Sequence, residues 1–166
     1  MRLPSAAVPG IWRNWWRASR FPVEVREQLD TEHVIVRADR VAVVRHFSGR
    51  VPGVVSSGSV TRLGGAFALT ATRVVASLPM LNEPRLLALD SPWGLEHGPG
   101  RVTIGPKGLS VEIDLPEVDS AFSGTMSLNY KHAIPDDLLA GLPATQLVCA
   151  IDPLLVYRAA GVRPRK

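Results

Sequence analysis

The chain predicts a mainly β (α+β) domain: a small antiparallel barrel or sandwich with a short helix before it and a helix closing it. Three observations lead there. Apolar and polar residues alternate with period two over most of the stretch from His33 to Lys131. Turn residues, chiefly Gly, Pro, Ser and Asp, punctuate that stretch at short intervals. The pattern then changes to helical grammar after residue 133. One wet face and one buried face along each strand is how an antiparallel sheet over a core reads. Several short strands closed by a helix suit a small barrel or sandwich.

The elements follow in order. Residues 1–10, with Pro4, Pro9 and Gly10, read as an extended lead-in. Pro22 followed by Glu24, Glu27 and Leu29 predicts a short helix near 22–30, because proline and acids favour a helix start. His33–Ala38 and Val41–Phe47 read as two strands joined by an Asp39-Arg40 hairpin turn. Gly49, Pro52, Gly53 and Ser56-Ser57-Gly58-Ser59 read as a loop. Gly65–Thr70 and Arg73–Leu78 form a second strand pair about Ala71-Thr72, and Leu86–Leu89 is a short apolar strand between turns.

The clearest pair is Val102/Ile104 with Leu109, Val111, Ile113 and Leu115, joined by Gly105-Pro106-Lys107-Gly108. A further strand places Phe122, Gly124, Met126, Leu128 and Tyr130 inward, and Gly124 there leaves space in the interior. Ile134–Gly141 reads as a short helix. Leu147, Val148, Ile151, Leu154 and Leu155 share helical spacing, so a broken helix is predicted over about 144–160, with Asp152 as cap and Gly161 as stop.

The stretch Gly65-Ala66-Phe67-Ala68-Leu69-Thr70-Ala71-Thr72-Arg73-Val74-Val75-Ala76 resembles the hairpin of bacterial pleckstrin-homology-like (PH-like) domains: an apolar strand, Leu-Thr, Arg, then a second apolar strand. The resemblance covers about a dozen residues as motif and roughly 65–160 as element order. It departs from the family at Ala71 and Thr72, one of which is often an acid there. The resemblance implies an interaction domain rather than an enzyme.

At 166 residues the chain fits one domain, divided into an N-terminal segment (1–21), a β body (22–161) and a basic tail (162–166). The net charge of +4 is uneven. Residues 1–26 carry five arginines against Glu24. The end from Arg158 carries Arg158, Arg163, Arg165 and Lys166, and the middle is mildly acidic. A nucleic-acid binder concentrates basic charge on its folded face, so no nucleic-acid partner is expected. No run approaches the roughly 20 apolar residues that span a bilayer, and the N-terminus is a poor secretory signal. The expected location is the cytoplasm, with peripheral contact at the inner face of the membrane as an extension of it.

Chemistry-bearing motifs are sparse. There is no P-loop, dinucleotide fingerprint or Gly-x-Ser-x-Gly elbow. His33, His46, His97 and His132 lack ligand spacing, so no metal or cofactor is expected. Cys149, the single cysteine, sits in an apolar run and reads as a buried, inert thiol. Glu112, Asp114, Glu117 and Asp119 form an acidic patch, with Glu112 and Asp114 on one outer strand face. No catalytic residues are assigned.

The unusual segment is Ile11-Trp12-Arg13-Asn14-Trp15-Trp16-Arg17-Ala18-Ser19-Arg20, with three of the four tryptophans. On a helix, Ile11, Trp12, Trp15 and Trp16 share one arc, and Arg13, Arg17 and Arg20 flank it. Trp and Arg are the anchors of protein interfaces and also suit an anionic membrane surface. The same indoles, each burying about 200 Å², equally suit packing on the chain's own body. The expectation is a docking site at Trp12, Arg13, Trp15, Trp16, Arg17 and Arg20 for a protein partner or membrane-bound assembly. A barrel enclosing a small hydrophobic ligand, and an enzyme whose site forms only in three dimensions, are the alternatives.

Overall fold

A computed structural model of the chain describes residues 21–78 and 87–162. Helix α1 (Val23–Asp30) precedes β1 (Val34–Val51), β2 (Val54–Thr70), β3 (Arg73–Ser77) and β4 (Leu87–Pro92). Then come β5 (Gly100–Gly105), β6 (Gly108–Asp114), a single turn α2 (Leu115–Val118) and β7 (Ser123–Lys131). Helix α3 (Asp136–Ala140), strand β8 (Gln146–Cys149) and helix α4 (Pro153–Ala160) complete the described chain.

All strand pairs are antiparallel, and the eight strands form one sheet in the order β4-β3-β2-β1-β7-β6-β5-β8. The sheet curls until its two ends, β4 and β8, come alongside each other, so it is a nearly closed barrel. This is the mainly β architecture the period-two pattern predicts. The interior is filled by side chains, among them Phe47, Phe67, Leu69, Met126, Leu128 and Tyr130, all at most 1% exposed. Tyr130 reaches across the interior, where its hydroxyl donates to the Ser77 carbonyl at 2.8 Å and its ring meets Phe67 edge-on at 6.1 Å. Its burial raises the phenol pKa.

Helix α4 closes the body much as its caps predict. Asp152 accepts from the Leu154 N–H at 2.9 Å, and Gly161 ends the helix at φ 94°. Its buried Leu155, Val156, Ala159 and Ala160 join the interior cluster.

Four expectations are corrected. Asp39-Arg40 is not a hairpin turn but a bulge inside the single 18-residue strand β1, at a register shift between Ala38 and Val41. The buried positions Val36 and Ala38 are followed by Val41 and Val43, one residue out of phase. A bulge supplies that extra residue and kinks the strand. Of the pair, only Arg40 has a positive φ, 55°, whereas the favoured I′ hairpin turn requires two such residues.

The Gly49–Ser59 loop shrinks to the Pro52-Gly53 turn, because β1 and β2 stay paired up to Val51 and Val54. The Ser56 hydroxyl donates to the Phe47 carbonyl and accepts from the Ser59 N–H. It thereby bridges a second register shift, between Phe47 and Ser48.

The broken helix over 144–160 is half wrong. Leu147 and Cys149 face inward as a strand, β8, that pairs with Gly100–Thr103 of β5. A short apolar run fits either period; the unpaired edge of β5 decides it. Lastly, Gly124 is exposed rather than inward. It stands opposite Gly49, and a Cβ on it would lie 2.1 Å from the Ser48 carbonyl oxygen. With φ 89° as well, the position needs glycine for strand approach, not for interior space.

Candidate functional site

Two regions of the outer surface gather polar chemistry. The first lies on the face of β1, β7, β6 and β5 that turns away from the interior. Antiparallel register aligns residues from four strands into one transverse row, His46–Ser127–Glu112–Arg101. A second row, Ser48–Thr125–Asp114, runs beside it. Glu117 of α2 and Ser59 of β2 border a groove of about 770 Å³ over these rows. The acidic patch read from sequence is therefore split by the fold. Glu112, Asp114 and Glu117 line the groove, while Asp119 accepts from the Ala121 N–H in the following turn.

Behind the groove wall sits a group that sequence reading passed over. Arg45 is 7% exposed and occupies an inward position between Val43 and Phe47. Its guanidinium donates to the Ala159 carbonyl at 2.5 Å and to the Ser59 and Thr61 hydroxyls at 2.8 Å. The cation also lies 5.8 Å from the Phe47 ring centre. No carboxylate pairs with it among the described residues. Its counter-charge is the last turn of α4, where carbonyls without helical partners concentrate partial negative charge. Desolvation lowers its pKa, yet an arginine stays charged. The available clue was an arginine in phase with inward apolar residues.

The second region fastens α1 to the barrel. Glu32, just past the helix, receives Arg73 Nε at 3.0 Å and Nη2 at 2.6 Å. Arg73 Nη1 bonds both Asp90 oxygens of β4 at 3.0–3.1 Å, and Nη2 reaches Gln28 at 3.3 Å. The Thr70 hydroxyl accepts from the N–H groups of Thr72 and Arg73, and Trp93 Nε1 donates to the Thr70 carbonyl. Hydrogen bonds from Arg73 lower the Glu32 pKa, and the same bonds raise that of Arg73. Thus the Leu69-Thr70…Arg73 motif performs a structural task here: it shapes the β2–β3 turn and clamps the helix.

Trp12, Arg13, Trp15, Trp16, Arg17 and Arg20 lie outside the described residues, as does the basic tail from Arg163. Phe21, the first described residue, is 2% exposed and packs with Val25 and Leu29 of α1 against Ala66, Ala68 and Val75. His33, His46, His97 and His132 are all exposed. Among the described residues no three His, Cys, Asp or Glu side chains are grouped to hold a metal ion. Burial pushes the Cys149 thiol up to about 11, far from the range where a thiolate attacks at neutral pH. No described helix is long and apolar enough to cross a membrane. The chain matches no protein-family model, no curated protein and no solved structure.

Proposed function

We propose that this chain is a non-enzymatic binding module: a PH-like barrel that docks on a protein partner, or on a membrane-bound assembly, through Trp12, Arg13, Trp15, Trp16, Arg17 and Arg20. The observation that carries this reading is the defined point at which that segment meets the docked helix. Phe21 is buried against the sheet and α1 is clamped by Glu32, Arg73 and Asp90. A docking segment that leaves a helix docked on the barrel loses less entropy on binding than one on a free linker. Large amphipathic tryptophans beside arginines supply the anchors that bury most productively at an interface.

The test compares the full chain, a chain lacking residues 1–20, and a Trp12/Trp15/Trp16→Ala variant. Each is read by recovery of cross-linked partners from cell extract, by co-sedimentation with phosphatidylserine vesicles, and by circular dichroism. Both altered chains are expected to lose at least tenfold in recovery of one specific partner while keeping β-type dichroism. Vesicle binding that disappears with the tryptophans would assign the segment to lipid rather than protein. Aggregation or unfolding of both altered chains would place the indoles in the folded core and end the proposal.

A further inference from the structure

The strands beneath α1 have two buried faces whose cores do not merge. Phe67, Leu69, Val74 and Ala76 belong to the barrel interior. Ala66, Ala68 and Val75, alternate residues of the same strands, form a separate cluster with Phe21, Val25 and Leu29. Lifting α1 therefore uncovers a small apolar face and leaves the interior closed. The helix has only eight residues and no side-chain cap at its N-terminus. Helices shorter than about 12–15 residues are marginal in isolation, so α1 owes its order to docking. Among the described residues that docking includes the small apolar cluster, an Asp30–Arg37 ion pair to β1 at 3.6 Å, and the Glu32–Arg73–Asp90 clamp at the C-terminal end of the helix.

We infer that α1 is a strap that opens from the barrel as its own unit, with Arg73 as its clasp. Proteins open in cooperative parts, and the parts with few buried apolar contacts open first. Among the described residues the outer cluster, with six buried members, is such a part beside the much larger interior cluster. Arg73 joins three elements through charge-assisted bonds, which are about twice as strong as neutral ones, so it sets the frequency of opening. A further consequence rests on the proposed docking role: the strap state decides where the first twenty residues are presented.

Native-state hydrogen exchange on the full chain tests the strap without any partner, so its failure is distinct from a failure of docking. In the unaltered protein, amides of residues 26–32 are expected to exchange at least about tenfold faster than those at the centres of β1 and β7. Arg73→Ala is expected to speed the α1 amides by about tenfold more and leave β1 and β7 within about twofold. Glu32→Gln, which keeps side-chain volume, is expected to give a smaller rise of about threefold confined to the same amides. The gap in the unaltered protein stands as a readout even if Arg73→Ala does not fold. Equal exchange in α1 and β1 before substitution, or an equal rise in both after Glu32→Gln, would overturn the strap.

Discussion

The outer surface of one continuous sheet is treated in two opposite ways. Under α1, the second half of β2 is buried on both faces: Gly64–Thr70 are all buried, and the outward residues Ala66 and Ala68 are small enough for a helix to lie on them. Around β1, β7, β6 and β5, the outward residues are His46, Ser127, Glu112 and Arg101, and they border an open groove. Both regions share the same interior and the same ladder. What differs is the chemistry of every second residue, so the side-chain alternation decides which part of the barrel is covered and which stays wet.

Placing one charge in each region breaks or sharpens this contrast most strongly. Ala68→Asp puts a carboxylate beneath Val25 and Leu29 and is expected to cost about 3 kcal/mol, since an unpaired buried charge is among the few severe single changes. Ala42→Asp is the same change on the exposed outward face of β1, opposite Lys131, and is expected to fall within about 0.5 kcal/mol of zero. Urea unfolding of both variants reads the difference. Equal losses would mean that the two faces are not distinct.

An intermediate effect is expected from acid. The folded pKa of Glu32 is lowered by Arg73, so its contribution is complete above the ordinary carboxylate value of 4.5. That contribution is lost as the pH falls through the lower folded value. Exchange of the α1 amides, corrected for intrinsic rates, should therefore be flat from neutral pH to about 5 and rise below about 4. The β7 amides should lag behind. In Glu32→Gln the acid rise in α1 should shrink, and an unchanged rise would remove Glu32 from the clamp.

The smallest effect concerns the groove. Arg101 and Glu112 stand directly opposite on β5 and β6, and both are exposed. A double-mutant cycle with Arg101→Ala and Glu112→Ala should give a coupling of about 0.5 kcal/mol or less, weakened further by salt. A coupling well above 1 kcal/mol would show that the groove floor is as tightly organised as the clamp.

Much of this architecture was legible because it is local. The alternation through β5, β6 and β7 marks inward and outward residues by itself, Gly124 excepted, and Asp152, Pro153 and Gly161 mark both ends of α4. The Ala71-Thr72 turn was legible for the same reason. The candidate sites were less so. The acidic residues of the groove were visible as a patch, but His46 and Arg101 come to them from strands distant in sequence. The Glu32–Arg73 clamp joins residues 41 apart, and nothing local in either residue announces it. The Arg45 position was marked by its phase alone, and its partner Ala159 lies 114 residues away.

The sequence by itself determined the period of each segment, the caps and turns, and therefore a mainly β body closed by a helix. Those features depend on dihedral preferences and on which side of a strand each residue faces, which a chain specifies within a few residues. Only the tertiary structure decided that Asp39-Arg40 is a bulge, that residues 146–149 are a strand, and which face α1 covers. Those outcomes depend on the partner available across the sheet. A backbone edge in need of hydrogen bonds, or an apolar face in need of cover, is set by segments far away along the chain.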